Sequence, residues 1–379
     1  FKQKTAYEIG VRLVGSEMCI RDRVRKIFKA SRIIGRRFKL VHVFNRSELI
    51  EVATFRSGEI NSNDGELVKD QSGKIIRDNI WGNLDQDTYR RDFTVNALYY
   101  CPKTKKIIGH KDGMSDIHKK SIVSIGDPKK RFSEDPVRSL RAIRFSNKLK
   151  FKIDTKIKDA IYEKGHLLSS ISNARIFDEF CKMFLNGMAE KNFNKLNSFG
   201  LSKFLITTEP DQNEFTSKLI TEALRNTDKR MINNQSVTPG FLLAALLWPQ
   251  LIEKCSTKGE INLRKFFRSM DPILRSQQRI TAIPRKFHSY IKDIWVLQLK
   301  LHSRIGKQPY KTLKHPRFRA AYDFMLIREK SSGETKSLGK WWTNFQKNDE
   351  NLKKSLIGSL KEKSQQESFK TFGFSQELR

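Results

Sequence analysis

Acidic residues are scarce in this chain of 379 residues: 41 Asp and Glu stand against 74 Lys and Arg, a formal charge of +33. Such a balance is far outside what solubility requires and calls for a polyanionic partner, nucleic acid ahead of a membrane surface. Cysteine is sparse as well. Cys19, Cys101, Cys181 and Cys255 are scattered without paired spacing, which argues against a zinc site or a disulfide framework and fits a reducing cytoplasm. The seven histidines are equally dispersed, so no histidine metal cluster is expected. Long apolar runs are missing too. The longest, "FLLAALLW" at Phe241–Trp248, suits a buried helix and not a membrane span. Nor is there an internal repeat, and the length allows two or three domains.

Residues 1–23, "FKQKTAYEIGVRLVGSEMCIRDR", do not run on naturally into the segment that starts at Val24. They resemble translated adapter sequence more than a signal peptide, which needs a longer apolar core and a small-residue cleavage site. They are therefore set aside as a non-native leader. From Val24 the pattern turns coherent. "VRKIFKAS" reads as the end of an amphipathic helix, and "RRFKLVHVF" and "LIEVATFR" as strands joined by a polar turn at Asn45–Glu48. A polar loop with Gly58, Gly65 and Gly73 comes next. "DQDTYRRDFTVNALYY" reads as one helix starting near Asp87, with strands at "KKIIGH" and "SIVSIG" around a turn at "KDGMSD". "SEDPVRSLRAIRFSNKL" reads as a helix with Ser133 as its N-cap and Pro136 in its first turn, and beyond it the pattern is helical. The fold class is α+β, a mixed head followed by an all-helical body. The head spans 24–126, a helical neck 127–205, the body 206–330, and a basic, partly disordered tail 331–379.

Three places carry chemistry. In "LIEVATFR", strand alternation puts Glu51 on one face with Leu49, Ala53 and Phe55. A carboxylate among apolar neighbours must be solvated, paired or bound to a metal. In "RRDFTVNA", Asp92 and Asn96 are spaced to share a helix face, able to hold a pair of ribose hydroxyls, while Arg90 and Arg91 can engage phosphates. Structural ion pairing is the plainer reading of these charges. In "EDPVRSLRAIRF", Asp135, Arg138, Arg141 and, less closely, Arg144 follow helical spacing. A carboxylate and a guanidinium so placed can read the edge of a base, or simply form a helix-stabilising salt bridge. Asp112 and Asp116 in "GHKDGMSDI" read as a turn or hinge.

These motifs, in this order, resemble the signatures of the class II nucleotidyltransferases, the superfamily of CCA-adding enzymes and bacterial poly(A) polymerases. "FLLAALLWPQL", "IPRKF", "IWVLQLKL" and "HPRFRAAYDFMLIRE" are similar to the poly(A) polymerase branch, and the likeness runs over about 24–346. The resemblance implies a polymerase-β-like head that adds AMP from ATP to RNA 3′ ends, with two magnesium ions. It assigns Arg91, Asp92 and Asn96 to the sugar and phosphates of the nucleotide, and Asp135 and Arg138 to its base, with Arg141 counted among the nucleotide-binding residues. It also makes Glu51 the third carboxylate beside the metals, and Glu51 and Asp92 the catalytic pair. The family pattern opens with a glycine pair and an Asp-x-Asp ahead of the helix matching "VRKIF". Here the leader occupies that place, and Asp22 is given no role. The chain as written is therefore expected to be a truncated, inactive copy. The alternatives are a CCA-adding enzyme or a noncatalytic RNA-binding remnant. A cytoplasmic monomer, with RNA-decay proteins as conceivable associates, completes the reading.

Overall fold

Alternation of branched residues builds the sheet of the first unit. Strand β3 (Leu40–Asn45) pairs antiparallel with β4 (Glu48–Thr54), setting Val41 opposite Val52 and Val43 opposite Ile50. The computed structural model describes residues 12–15, 20–35, 40–46, 48–57, 82–209, 213–257, 260–332 and 336–364. It divides into two units, 1–164 and 165–379. In the first, β2 (Ser31–Ile34) pairs antiparallel with β3 and β1 (Arg12–Gly15) parallel with β4, giving the order β1-β4-β3-β2. Helix α1 (Ile20–Ile27) covers one face, where Val24 packs with Val41, Val43, Val52, Ile33 and Ile50. Glu51 is on the opposite face, because neighbouring strand residues point to opposite sides.

Four expectations need correction. Arg12–Gly15 and Ile20–Arg23, set aside with the leader, supply β1 and the first turn of α1. An edge strand is held by backbone hydrogen bonds, which make little demand on the identity of its side chains. The single helix expected over "DQDTYRRDFTVNALYY" is broken into α2 (Leu84–Tyr89), a 3₁₀ turn at Thr94–Asn96 and β5 (Leu98–Cys101). The cause is tertiary. Phe93 is extended, fully buried and bridged to Ser124, while Thr94 N–H donates to the Val123 carbonyl at 3.0 Å and Ile125 N–H to the Asp92 carbonyl at 3.1 Å. The turn at "KDGMSD" is helix α3 (Gly113–His118), fixed by the buried Asp116, which accepts from Thr94 Oγ1 at 2.7 Å.

The fourth correction concerns the helix expected to start at Ser133. There are two helices, α4 (Pro128–Glu134) and α5 (Val137–Leu149), with Asp135 extended between them and Pro136 capping the second. Proline disfavours helical backbone at the residue before it, so the break falls at Asp135. Hairpin strand β6 (Lys106–Gly109) follows β5, and short β7 (Ser121–Ile122) pairs parallel with β8 (Lys152–Ile153) ahead of α6 (Thr155–Lys164). Gly109 is obligatory. Its φ is +131°, and a Cβ there would lie 2.2 Å from the Ala97 carbonyl oxygen. The glycine-bearing loop expected after Ser57 lies outside the described residues.

Among its described residues the second unit is helical apart from a pair of short antiparallel strands, Ser256–Thr257 and Glu260–Ile261. Its helices run α7 (Asn173–Phe184), α8 (Ala189–Ser198), α9 (Glu214–Ile232), α10 (Pro239–Leu246) and α11 (Trp248–Cys255). They continue as α12 (Leu263–Ile280), α13 (Arg285–His302), α14 (Gln308–Leu313), α15 (Phe318–Ser332), α16 (Lys336–Lys347) and α17 (Glu350–Ser364). Helix α10, the expected buried run, is enclosed from Gly240 to Leu246, and Trp295 Nε1–H donates to the Ala244 carbonyl at 2.8 Å. The tail expected to be partly disordered folds over 336–364. Trp341, Trp342 and Phe345 of α16 and Ile357 of α17 join Phe318 and Tyr322 of α15 in one buried cluster. Among the described residues no helix is long and apolar enough to cross a membrane.

Candidate nucleotide-binding site

A capping box starts the local order of the site. The Asn83 side chain accepts from Gln86 N–H at 2.9 Å, and Gln86 reaches back to Asn83 N–H at 2.9 Å, so α2 begins at a fixed point. One residue further on, Asp87 is wholly buried. It accepts from Arg91 Nη2 at 2.7 Å, from Arg90 Nε at 2.9 Å, from the backbone N–H of Arg56 at 3.2 Å, and from the Tyr99 hydroxyl. The carboxylate thus gathers the end of β4, the end of α2 and the β5 strand around itself. Burial by itself would raise the Asp87 pKa; the Tyr99 hydrogen bond and the charges of Arg90 and Arg91 outweigh it and hold the group below its ordinary 3.8. Tyr99, half-buried and bonded to Asp87, is pushed up to about 12.

Asp92 is a second such centre. Its Oδ1 accepts from Asn96 Nδ2 at 3.1 Å and from Phe93 N–H at 3.0 Å, and its Oδ2 pairs with Arg141 Nε of α5 at 2.5 Å. Burial pushes this pKa up, but the Arg141 charge and hydrogen bond, with the Asn96 donor, bring it below 3.8. Asp92 and Asn96 therefore meet as the spacing suggested, though across a 3₁₀ turn and not along a helix. Arg91, expected at the phosphates, is turned toward Asp87, and its guanidinium rests 5.6 Å from the Tyr99 ring.

One residue that the sequence pattern does not single out joins the two motifs. Arg131 of α4 donates through Nη2 to the carbonyls of Arg90 at 2.8 Å and Arg91 at 2.7 Å. These are orphan carbonyls at the end of α2, which need donors. Arg138 in turn donates to the Arg131 carbonyl at 3.1 Å and to Glu134 at 3.3 Å. Burial and the neighbouring Arg131 charge lower its pKa. Asp135 Oδ1 accepts from Val137 N–H at 3.3 Å, an Asx-type bond that orders the corner before α5. Of the expected base-reading set, Asp135 and Arg138 share this corner, while Arg141 belongs to the Asp92 centre.

Glu51 is a member of the sheet. It faces His42 across the β3–β4 pair, 3.5 Å away, on the sheet face not covered by α1. Among the described residues no three His, Cys, Asp or Glu side chains come together as a metal site. The chain contains a single Asp-x-Asp, Asp85–Asp87, and Asp87 is neutralised by its arginines. The donors described do not fit a two-ion centre, which needs several carboxylate oxygens converging on one point.

A sheet of order β1-β4-β3-β2 flanked by a helix, followed by an arginine–carboxylate turn and a helical body, is matched by known proteins. The family described as "Poly A polymerase head domain" matches 15–123, "Probable RNA and SrmB- binding site of polymerase A" matches 150–215, and "Polymerase A arginine-rich C-terminus" matches 258–372. The solved structure of a CCA-adding enzyme in its apo form II, 19% identical, aligns over 94% of this chain and 82% of its own with a TM-score of 0.57, a likeness of fold alone. The class is thus a nucleotidyltransferase. Poly(A) polymerase I of Salmonella typhi is 35% identical over 352 residues, 89% of this chain and 76% of that protein. The CCA-adding enzyme of Pediococcus pentosaceus is 36% identical over 181 residues, 46% of this chain and 43% of its own. The chain belongs to the bacterial poly(A) polymerase family.

Proposed function

We propose that the cluster around Asp87, Asp92 and Arg131 binds ATP and orients it for transfer of AMP to an RNA 3′ end. In that reaction the 3′-hydroxyl oxygen attacks the α-phosphorus, the bond to the β-phosphate breaks, and pyrophosphate leaves. The observation that carries the reading is the pair of Arg131 hydrogen bonds. They make the Arg90–Asp92 turn and the Asp135–Arg138 corner parts of one rigid surface, as a site reading both sugar-phosphate and base requires. Asn96 and the exposed part of Arg141 present donors to the ribose. Arg91 and Arg90 place positive charge near the triphosphate. Asp135 and Arg138 supply an acceptor and a donor for the adenine edge. Asp92 works through Arg141 as a positioning residue. The greater reach of the poly(A) polymerase likeness over the body favours AMP addition over CCA addition.

Because the donors described do not make a two-ion centre, the site is proposed to hold nucleotide and RNA in that orientation while the chain itself transfers no AMP. The test has two parts. ATP is expected to raise the melting temperature of the full chain more than CTP does, since a ligand of the native state stabilises it. A short RNA primer is expected to gain no AMP in magnesium. Magnesium-dependent AMP incorporation would overturn the inactivity, and use of CTP on a tRNA lacking its end would overturn the choice of nucleotide.

A further inference from the structure

In the second unit, α14 and α17 enclose an open groove of about 750 Å³. Lys311 is on α14, Lys307 and Lys314 are the residues that flank its two ends, and Lys354 lines the groove from α17. All four are exposed, and none is within ion-pair distance of a carboxylate among the described residues. The single acid of the groove, Glu350, pairs with Lys353 at 3.3 Å, so it does little to offset them. Between the lysines lie the Tyr310 ring, held edge-on against Phe345 at 5.3 Å, and the buried Ile357. The groove thus has an apolar, aromatic floor and a cationic rim.

We infer that this groove binds the backbone of single-stranded RNA, with phosphates on the lysines and a base against Tyr310. The ligand class rests on the polymerase reading above. Lys307 to Lys314 covers about 10 Å at the helical rise, enough for neighbouring phosphates and more than one small anion needs. Strand binders without sequence preference combine such a charged track with a stacking surface. Protein acidic segments offer charge but no flat ring, so RNA is the better fit to the floor. Placed on α14 and α17, the groove gives a tail of any sequence a holding point that does not use the nucleotide site.

The test measures binding of a 3′-deoxy oligoadenylate to the full chain without ATP, across a salt series. The double variant Lys311→Gln/Lys354→Gln is compared with Lys340→Gln/Lys347→Gln, exposed lysines of α16 that do not line the groove. Each phosphate that a lysine no longer neutralises lowers the slope of log affinity against log salt by about 0.7. By the same rule the groove variant is expected to lose about 1.4 and the control nothing. Lysine acetylation mapped by mass spectrometry is expected to show Lys311 and Lys354 shielded by the oligoadenylate. Equal losses in the two variants, or none in either, would overturn the inference, as would equal shielding by ATP or by polyglutamate at the same charge concentration. Because no nucleotide is transferred in these measurements, the groove can stand if AMP addition fails, and fall if it succeeds.

Discussion

The first unit buries two carboxylates, Asp87 and Asp92, each surrounded by guanidinium and other hydrogen-bond donors. The deepest large side chains of the second unit are Trp248, Trp295 and Trp342. Even its buried cation, Arg328, rests 4.6 Å from the Trp248 ring and donates to Gln298 at 3.2 Å. The contrast teaches where each unit gets its shape. Buried ion pairs add little net stability compared with apolar packing, but they penalise any other arrangement of the same groups. Aromatic burial supplies driving force and tolerates more latitude in chemistry. A site that must hold several short bonds in register uses the first, and a scaffold uses the second.

The contrast breaks most visibly if the scaffold is hollowed. Trp342→Ala removes a fully buried indole whose Nε1–H donates to the Leu301 carbonyl at 2.8 Å. The expected cost is about 3–5 kcal/mol, read in urea by hydrogen exchange as a loss of protection in α13, α15 and α16 while α2–α5 keep theirs. Loss in both sets would mean the units do not unfold separately. Next in size, Asp92→Ala removes the buried acceptor of Arg141, Asn96 and the Phe93 N–H and is expected to cost about 1–3 kcal/mol, confined to the first unit. The double change Asp92→Ala/Arg141→Gln removes both charges together, and its cost should be well below the sum of the costs of Asp92→Ala and Arg141→Gln made singly. Additive costs would show that the pair is not coupled.

Acid sharpens the same comparison. Asp87 and Asp92 have native pKa values below 3.8. Their contribution is complete above that value and is lost as pH falls through the lowered native values. The first unit should therefore keep its stability down to about pH 4 and lose it below. The second unit contains His302, which burial and the charges of Arg328 and Arg304 push down from 6.5 to about 4. The unfolded chain takes up that proton first, so stability declines as pH drops from 6.5 toward 4. His302 is partly solvent-exposed, which makes this the smallest effect. It should vanish in His302→Gln, as read from melting temperature against pH.

The hairpin β3–β4 is legible in the sequence because its alternation is strict, and α10 because its run is uniformly apolar. The break after α2 is not. Residues 85–101 favour helix locally, and what stops it is Phe93 pairing with Ser124, a contact between segments about thirty residues apart in sequence. The Asp87 centre has a visible signal, since Arg90 and Arg91 stand three and four positions on from the carboxylate. Assigning those arginines to phosphates conceals it. Arg131 carries no signal, because its acceptors are backbone carbonyls about forty positions earlier. The split at Asp135–Pro136 is available in the proline, but Ser133 resembles a cap and draws the helix start to itself, although it lies inside α4. The fold of 336–364 is hidden because the two tryptophans look like the last apolar residues of a fading segment, when they are the centre of a cluster.

The placement of those tryptophans has an optical consequence. Of five in the chain, Trp248, Trp295, Trp341 and Trp342 belong to the second unit. Indole emission from the unlabelled chain is thus dominated by that unit, and its red shift during denaturation dates the opening of the scaffold. The first unit has its own chromophore in Tyr99, whose phenolate forms only near 12 while bonded to Asp87. With eight tyrosines in the chain, the part of a phenolate band that is lost in Tyr99→Phe reports this hydroxyl, and its earlier rise in an alkaline titration marks the release from Asp87. The indole band and that difference band therefore time the two units separately.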